Sequence, residues 1–280
     1  MLEARDTART WRSLEPRRSR DLADARQQLH HAAQFVASFG ISYLPAQPDD
    51  SHTNMEWLES LGALASKPAG SADIRLAVAP HPFALLVLGA GDAVIGALSL
   101  DGVTTEVAAR WVRTRLSEHG LDDSRYTLVR HYQIPAHRVA EGGAFGGTAP
   151  GSLEELARWY SNAAFVLQAI VAVMPNASPV RCWPHHFDIA TLLEVDTGKT
   201  ISVGMEPGDA YWPEPYFYAS VSPSPRTDVE RPPLAGGGVW NTRDWIGASL
   251  PGSRLGASAQ QEQVEAFIDS AIHACTALLR

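Results

Sequence analysis

The chain contains long segments whose hydrophobic residues recur at helical spacing and short segments that are continuously apolar. Helical spacing predicts amphipathic helices over residues 21–39, 54–65, 104–119 and 152–174, and from 258 to the C-terminus. The apolar runs predict strands over residues 74–79, 83–88 and 93–100. The last two runs are joined by Gly89-Ala90-Gly91-Asp92, which predicts a hairpin. Gly40 is expected to end the first helix.

The second half of the chain carries further strand signals. Polar and apolar residues alternate over 126–134, and strands are also predicted over residues 182–195, 200–205 and 216–222. The segment Asp196-Thr197-Gly198-Lys199 predicts a hairpin turn between two of these strands. Proline and glycine are frequent in two other segments. We therefore expect a mobile connection at 140–151 and a long surface loop at 222–238.

Two segments resemble each other and indicate an internal duplication. Pro80-His81-Pro82-Phe83 aligns with Pro184-His185-His186-Phe187, and a hairpin and a helix follow each segment. We therefore predict an α+β protein of two duplicated halves, each an antiparallel β-hairpin or sheet covered by helices. Its parts are a polar N-terminal arm (1–20), a first half (21–139), the glycine-rich connection (140–151) and a second half (152–280), all in one compact unit.

One stretch of the second half carries the strongest chemical signal. Residues 181–192 place two histidines and a carboxylate in an otherwise apolar run, where polar side chains need partners because burial removes their hydration. In the alignment His185 corresponds to His81, whereas the positions of His186 and Asp188 are apolar in the first half. His186 and Asp188 are therefore specific to the second half, and we take them as the candidate catalytic pair.

A metal site is the first interpretation of this stretch. His186 and Asp188 share one face of an extended strand, and Glu206 ends the partner strand nearby. A further ligand is taken from His185, His81 or His131, of which His185 is the nearest in sequence. Such a His/carboxylate set suits a divalent metal (Zn, Fe or Mn), which would make the protein a small-molecule hydrolase or lyase. The aromatic residues expected to bind the substrate are Tyr211, Trp212, Tyr216 and Tyr218.

Two other interpretations of the same residues stay open. Without a metal, His186 could act as a general base that Asp188 orients. Alternatively, the histidines and Asp188 could form a structural hydrogen-bond network. The protein would then be a non-catalytic small-ligand-binding protein with an aromatic pocket.

Composition narrows the classes of partner. The chain has 280 residues, 45% of them hydrophobic, so it can bury a large core. The net charge is −8, and no basic run follows the N-terminal arm, which argues against a nucleic-acid surface. No apolar run has the length of a membrane span, the N-terminus lacks an apolar signal region, and two cysteines make no disulfide framework. We expect a cytoplasmic protein without a membrane or nucleic-acid partner, and a homo-oligomer is left open.

Several segments resemble a bacterial protein family that is defined as a domain of unknown function. They are residues 25–30 (Ala-Arg-Gln-Gln-Leu-His), 186–190 (His-Phe-Asp-Ile-Ala), 215–218 (Pro-Tyr-Phe-Tyr) and 238–242 (Gly-Val-Trp-Asn-Thr), together with Trp245. These segments are spread over most of the chain. The resemblance implies one shared domain architecture, but it implies no activity and assigns no catalytic residue.

Overall fold

The computed structural model describes residues 10–15, 21–225, 230–242 and 245–279. Within these ranges the α-helices are α1 (Ala23–Tyr43), α2 (Thr105–Glu118), α3 (Ser152–Val173) and α4 (Gln260–Leu278). The strands of the first half are β1 (Glu56–Leu58), β2 (Ala63–Ala65), β3 (Arg75–Ala79), β4 (Ala84–Leu88) and β5 (Val94–Ser99). Those of the second half are β6 (Arg181–Cys182), β7 (Ile189–Asp196), β8 (Lys199–Glu206), β9 (Tyr216–Ser222), β10 (Val239–Asn241) and β11 (Gly247–Pro251).

The strands form two antiparallel sheets, which confirms the predicted α+β class. The first sheet follows the chain order β1-β2-β3-β4-β5, and the second has the order β6-β7-β8-β9-β11-β10. The two sheets meet at Met55 and Cys182. Met55 N donates a hydrogen bond to Cys182 O (2.9 Å), and Cys182 N donates one to Met55 O (2.7 Å). The two halves are thus joined by backbone hydrogen bonds.

The helices close one face of the second sheet. α3 packs on β7 and β8, α4 packs on β8, β9 and β11, and α1 packs on β2 and β3 and contacts α3. Alternate strand residues are buried in the main core cluster: Ile189, Leu193, Ile201, Val203, Met205, Phe217 and Ala219. Full burial of a large apolar side chain stabilises a fold by roughly 1.5–3 kcal/mol. Because successive side chains of a strand point to opposite faces, the intervening residues of these strands point to the face that α3 and α4 leave uncovered.

α3 is also the described helix whose length and apolar composition would allow it to cross a membrane. In its most apolar window, 56% of the residues are buried inside the protein. The core helices of folded proteins and membrane spans share this composition, so the composition of α3 carries no conclusion about a membrane.

The predicted helix over residues 54–65 is wrong. These residues form the hairpin of β1 and β2, in which Glu56 pairs with Ala65 and Leu58 pairs with Ala63. Gly62 in the turn has a φ of +57°, a conformation that favours glycine and interrupts a helix. β2 also pairs with β3, so a long-range partner satisfies the backbone groups that a helix would have satisfied locally.

The predicted strand over residues 126–134 is also wrong. Thr127 N donates to Ser42 Oγ (3.1 Å), and Val129 N donates to Thr127 Oγ1 (3.1 Å). Side-chain oxygens here take the place of a neighbouring strand, and the Val129 side chain is exposed. Alternation alone therefore did not make a strand, because no second strand of the described residues lies beside this segment to complete a ladder.

Two glycine signals have causes other than those predicted. Gly40 lies inside α1 and does not end it, and a Cβ at this position would stand 2.3 Å from His52 O. Gly40 thus allows a close backbone approach. The glycine-rich connection is held on α1 and is not a free loop, since Gln28 Oε1 accepts from Gly146 N (2.7 Å) and Gln28 Nε2 donates to Gly146 O (3.0 Å).

Part of the predicted N-terminal arm packs on the body. The rings of Trp11 and Phe217 lie 6.5 Å apart, and Leu14 N donates to Gln260 Oε1 (2.9 Å). Residues 1–9 and 16–20 of the predicted arm lie outside the described residues. The described segment covers an edge of the core between α3 and α4.

Candidate functional site

A cavity of about 650 Å³ lies on the uncovered face of the second sheet. Ala190, Gly204 and Tyr218 pair in one row across β7, β8 and β9, and the neighbouring rows continue the same face. Asp188, which precedes β7, lines the cavity together with residues of β7, β8 and β9: Ala190, Leu192, Ser202, Glu206, Tyr216, Tyr218 and Ser220. Other residues complete its wall: Asp49, Ser178, Trp183, His185, His186, Thr191, Asp209, Tyr211 and Trp245.

The predicted strand over residues 182–195 is interrupted by a turn at 183–188, which two helices hold from outside. Pro184 O accepts a hydrogen bond from Gln34 Nε2 (3.0 Å) and lies 2.8 Å from His30 Nε2. His30 is buried, and desolvation lowers its pKa to about 3, so the ring is neutral and can donate one N–H to that carbonyl. From α3, Tyr160 Oη donates to Phe187 O (2.7 Å). α1 and α3 thus fix the turn that presents Asp188.

The backbone of the turn is itself constrained. Trp183 N donates to Asp188 O (2.9 Å), and Phe187 N donates to Trp183 O (2.6 Å). Phe187 has a φ of +72°, which is uncommon for a residue with a side chain. Its ring stacks on the His30 ring at 4.6 Å, and this packing supports the conformation. The turn re-aims side chains that a continuous strand would have sent to opposite faces, so His185, His186 and Asp188 all border one cavity.

Tyr160→Phe tests the clamp from α3. The change leaves the buried Phe187 carbonyl without its donor, so we expect the free energy of unfolding to fall by about 1–3 kcal/mol. Chemical denaturation measures this loss. Tyr126→Phe is the matched control, because the buried Tyr126 hydroxyl also donates to a backbone carbonyl (Phe35 O, 2.9 Å) but does so away from the cavity. Only Tyr160→Phe should displace the turn at 183–188 in a crystal structure of the variant, and an unchanged turn there would contradict the clamp.

Asp188 has one satisfied and one unsatisfied oxygen. The residue is 8% exposed. Its Oδ2 accepts a hydrogen bond from Tyr218 Oη (2.5 Å), whereas Oδ1 has no hydrogen-bond partner among the described residues. Burial raises the pKa of Asp188, and the Tyr218 hydrogen bond, the nearby His186 and the backbone amide of Asp188 itself oppose that rise. The residue lines the cavity, and the oxygen without a partner is a buried atom of its side chain.

Glu206 is a second buried carboxylate on the same wall. It is 7% exposed, and no hydrogen bond from the described part of the chain reaches its side chain. Burial raises its pKa well above the ordinary value, and Asp188 and Asp209 add to the rise. Arg26 opposes it from behind Gly208, whose ideal Cβ position lies 2.2 Å from Arg26 Nη1. Glu206 lines the cavity, whereas Arg26 does not.

An aromatic wall stands beside the two acids. Tyr216 and Tyr218 have ring centroids 6.2 Å apart, Tyr218 and Trp245 meet edge to face at 6.4 Å, and Tyr211 meets Trp245 at 6.1 Å. Asp209 anchors this wall, because its Oδ2 accepts from Tyr216 Oη (2.7 Å). Burial raises the pKa of Tyr216, so its hydroxyl keeps the proton that it donates.

Two glycines make room for these rings. A Cβ on Gly204 would lie 2.8 Å from Tyr218 Cε1 and 2.7 Å from Ile189 O. A Cβ on Gly247 would lie 1.7 Å from Trp245 Cζ3. Each ring thus lies over a strand position that only glycine leaves open, and the Tyr218 ring crosses β8 at Gly204 to reach Asp188.

The predicted catalytic pair is not hydrogen-bonded. His186 is exposed at the rim, and Asp188 is held by Tyr218 and not by His186. The rings of His185 and His186 lie 4.5 Å apart, and burial lowers the pKa of His185. The geometry shown therefore does not orient His186 through Asp188.

The predicted metal ligands share one cavity without forming a ligand group. His185, His186, Asp188 and Glu206 all line it, but no three His, Cys, Asp or Glu side chains among the described residues are arranged to hold a metal ion. His131 lies elsewhere, 2.9 Å from Asp50 Oδ2. Of the predicted substrate-binding residues, Tyr211, Tyr216 and Tyr218 border the cavity and Trp212 does not.

Several site residues were not anticipated from the sequence. Ser202 and Ser220 line the cavity, and a signal for them exists in the alternation of Ser202-x-Gly204-x-Glu206 and Tyr216-x-Tyr218-x-Ser220, which places polar groups on one face of two paired strands. Asp209 and Trp245 also line it, and no local pattern marks either of them. His30 and Gln34 act from α1, and nothing in their helical context indicates their contact with Pro184.

Known proteins give no further guide to the site. Searches with protein-family profiles, through curated proteins and through solved structures find no match to this chain. The resemblance to a family of unknown function remains a prediction from short segments, and the function is argued from the cavity itself.

Proposed function

We propose that this protein binds a small organic molecule in the cavity on the uncovered face of its second sheet. The proposal rests on the carboxylate of Asp188. The Asp188 side chain lines a cavity of about 650 Å³, and its buried Oδ1 has no hydrogen-bond partner among the described residues. An unsatisfied buried acceptor costs about 1–3 kcal/mol, and a bound donor would recover that loss.

The shape and lining of the cavity support the same function. Its volume lies within the range of roughly 300–1,000 Å³ that is typical of small-molecule sites. Aromatic rings supply apolar surface, and Ser202, Ser220 and Tyr218 supply hydroxyls at fixed positions on rigid strands. A purely structural network would satisfy both oxygens of Asp188 and would fill the space above the sheet. Here Asp188 Oδ1 has no partner among the described residues, and the space above the sheet is open.

A tryptophan placed in the cavity tests this function. Ser220→Trp should fill the space without touching the carboxylates, and we expect it to abolish the binding of any cavity ligand, measured by ligand-observed NMR with a fragment library. Thr200→Trp is the control, because Thr200 lies on the same face of the sheet but does not line the cavity. Fragments that bind Ser220→Trp as well as the wild type would contradict the proposal.

A metal-dependent hydrolase or lyase is the second candidate function. The observation in its favour is that His185, His186, Asp188 and Glu206 line the same cavity. Metal analysis of untagged protein tests it. About one equivalent of Zn, Fe or Mn that is lost in His186→Ala would support the metal site. Less than about a tenth of an equivalent, unchanged in His186→Ala, would contradict it.

We also retain the duplication of the two halves as a proposal. Its support is that a Pro-His turn joins two antiparallel strands in each half, at residues 80–83 between β3 and β4 and at 183–188 between β6 and β7. The placement of these turns differs, since β3 is the third strand of its half and β6 is the first. If the halves are related, the acid-lined cavity is a specialisation of the second.

A further inference from the structure

We propose that the ligand of this cavity is a small organic cation with N–H donors, namely a protonated primary or secondary amine on a compact apolar body. This inference rests on the proposed binding function and narrows it to one chemical class. It follows from the charge of the cavity, from the unfilled acceptors on its wall and from the aromatic rings beside them.

The charged side chains that line the cavity are carboxylates, apart from the two histidines His185 and His186. Four carboxylates line it, those of Asp49, Asp188, Glu206 and Asp209, and no lysine or arginine of the described ranges does. Arg26 does not line the cavity; its half-buried side chain lies against Gly208, and desolvation lowers its pKa, while Glu206 and Asp209 oppose that lowering. When they are ionised, several carboxylates around one concave surface concentrate a negative potential, which attracts cations and repels anions. An anionic ligand is therefore disfavoured.

The two deepest carboxylates need hydrogen-bond donors that the described residues do not supply. Asp188 Oδ1 has no partner, and the Glu206 side chain accepts no hydrogen bond from them. These residues stand at neighbouring positions of the sheet, because Ile189 pairs with Met205 and each acid lies one residue beyond that pair. An ammonium group carries two or three N–H donors and one positive charge, so a single group can serve both acids through charge-assisted hydrogen bonds.

The wall beside the acids suits the apolar part of such a ligand. The rings of Tyr216, Tyr218 and Trp245 adjoin one another at centroid distances of 6.2 and 6.4 Å. Aromatic faces attract cations and also bury hydrocarbon. A metal ion would make no use of this wall, whereas an alkyl or aryl amine can use the wall and the acids together. The amine therefore fits the described groups better than a bare metal does.

Matched probes of different charge test the inference. Each set has one body (benzyl, cyclohexylmethyl or isobutyl) that carries an amine, an alcohol or a carboxylate. Calorimetry measures the dissociation constant of each probe at about pH 8, because alkaline pH favours the ionised form of the acids. We expect the amine to bind at least about tenfold more tightly than the alcohol of the same body, and the carboxylate most weakly. Asp188→Asn and Glu206→Gln should each remove most of that advantage. Glu194→Gln, at an exposed position on β7, should not.

Each result has a defined meaning. An alcohol or carboxylate that binds as tightly as its amine, and loses binding in Ser220→Trp, would overturn the cation and leave the binding function intact. An amine preference that survives both Asp188→Asn and Glu206→Gln would overturn the assignment to these acids. If no probe of any charge binds at millimolar concentration, both the cation and the binding function fail. Thermal melts of every variant check that it is folded.

Discussion

Gly204→Ala should lower the free energy of unfolding by about 2 kcal/mol and should also abolish ligand binding. The added Cβ would stand 2.7 Å from Ile189 O, 2.8 Å from Ala190 Cβ and 2.8 Å from Tyr218 Cε1. Two of these three contacts are with β7, which cannot move away without loss of its ladder with β8. The remaining contact displaces the Tyr218 ring, and Asp188 then loses its hydrogen bond. Urea denaturation measures the first effect, and calorimetry with the amine probes measures the second.

Gly96→Ala provides the matched control for this substitution. Gly96 also lies within an antiparallel strand, but its Cβ would meet side-chain atoms only, at 3.5 Å or more. Alanine fits there with ordinary contacts and reduces the entropy of the unfolded chain, so stability should stay the same or rise by up to about 1 kcal/mol. Equal effects of Gly204→Ala and Gly96→Ala would show that the approach of Tyr218 to β8 is not tight.

Glu206→Gln should stabilise the ligand-free protein at alkaline pH and have little effect at acid pH. Burial raises the pKa of Glu206. Between its ordinary and its raised value, the folded state holds a proton that the unfolded state has lost. Stability of the wild type therefore falls as pH rises through that window. Glutamine removes this loss, and we expect a gain of roughly 2 kcal/mol near pH 8, since an unpaired buried charge costs several kcal/mol.

The expected sign depends on the groups around Glu206. Asp188 and Asp209 disfavour its ionised form and Arg26 favours it, and burial is the largest influence. Melting temperatures at about pH 5 and pH 8 give the comparison. The exposed Glu194→Gln should show the same pH slope as the wild type. A Glu206→Gln variant that is less stable than the wild type at alkaline pH would mean that Glu206 is ionised and well paired when folded.

Local patterns were sufficient for most of the helices and hairpins. Amphipathic spacing located α1, α2, α3 and α4 to within a few residues, and the turn at Gly89–Asp92 located the hairpin of β4 and β5. These elements satisfy their backbone groups within one segment or with a neighbour in the chain. Residues 54–65 and 126–134 were misassigned because a strand needs a partner, and only the folded chain shows whether one is present.

The candidate site could be predicted in part for the same reason. Asp188 and Glu206 stand out as acids at the ends of apolar runs, and the structure brings both to one cavity. The contacts that hold the turn at 183–188 could not be foreseen, because His30 and Gln34 act on Pro184 from 154 and 150 residues away. Without that turn, alternation sends neighbouring side chains to opposite faces. The sequence therefore indicated a metal cluster, whereas the geometry supports a pocket with unfilled acceptors.

A crystal structure of the protein soaked with benzylamine tests the account most directly. We predict the probe between the aromatic wall and the acids, with its nitrogen at about 3 Å from Asp188 Oδ1 and within reach of Glu206. Ser220→Trp crystals treated in the same way should contain no probe at this position. A wild-type structure in which Asp188 Oδ1 accepts a hydrogen bond from another residue of the chain, and in which the probe is absent from the cavity, would contradict the account.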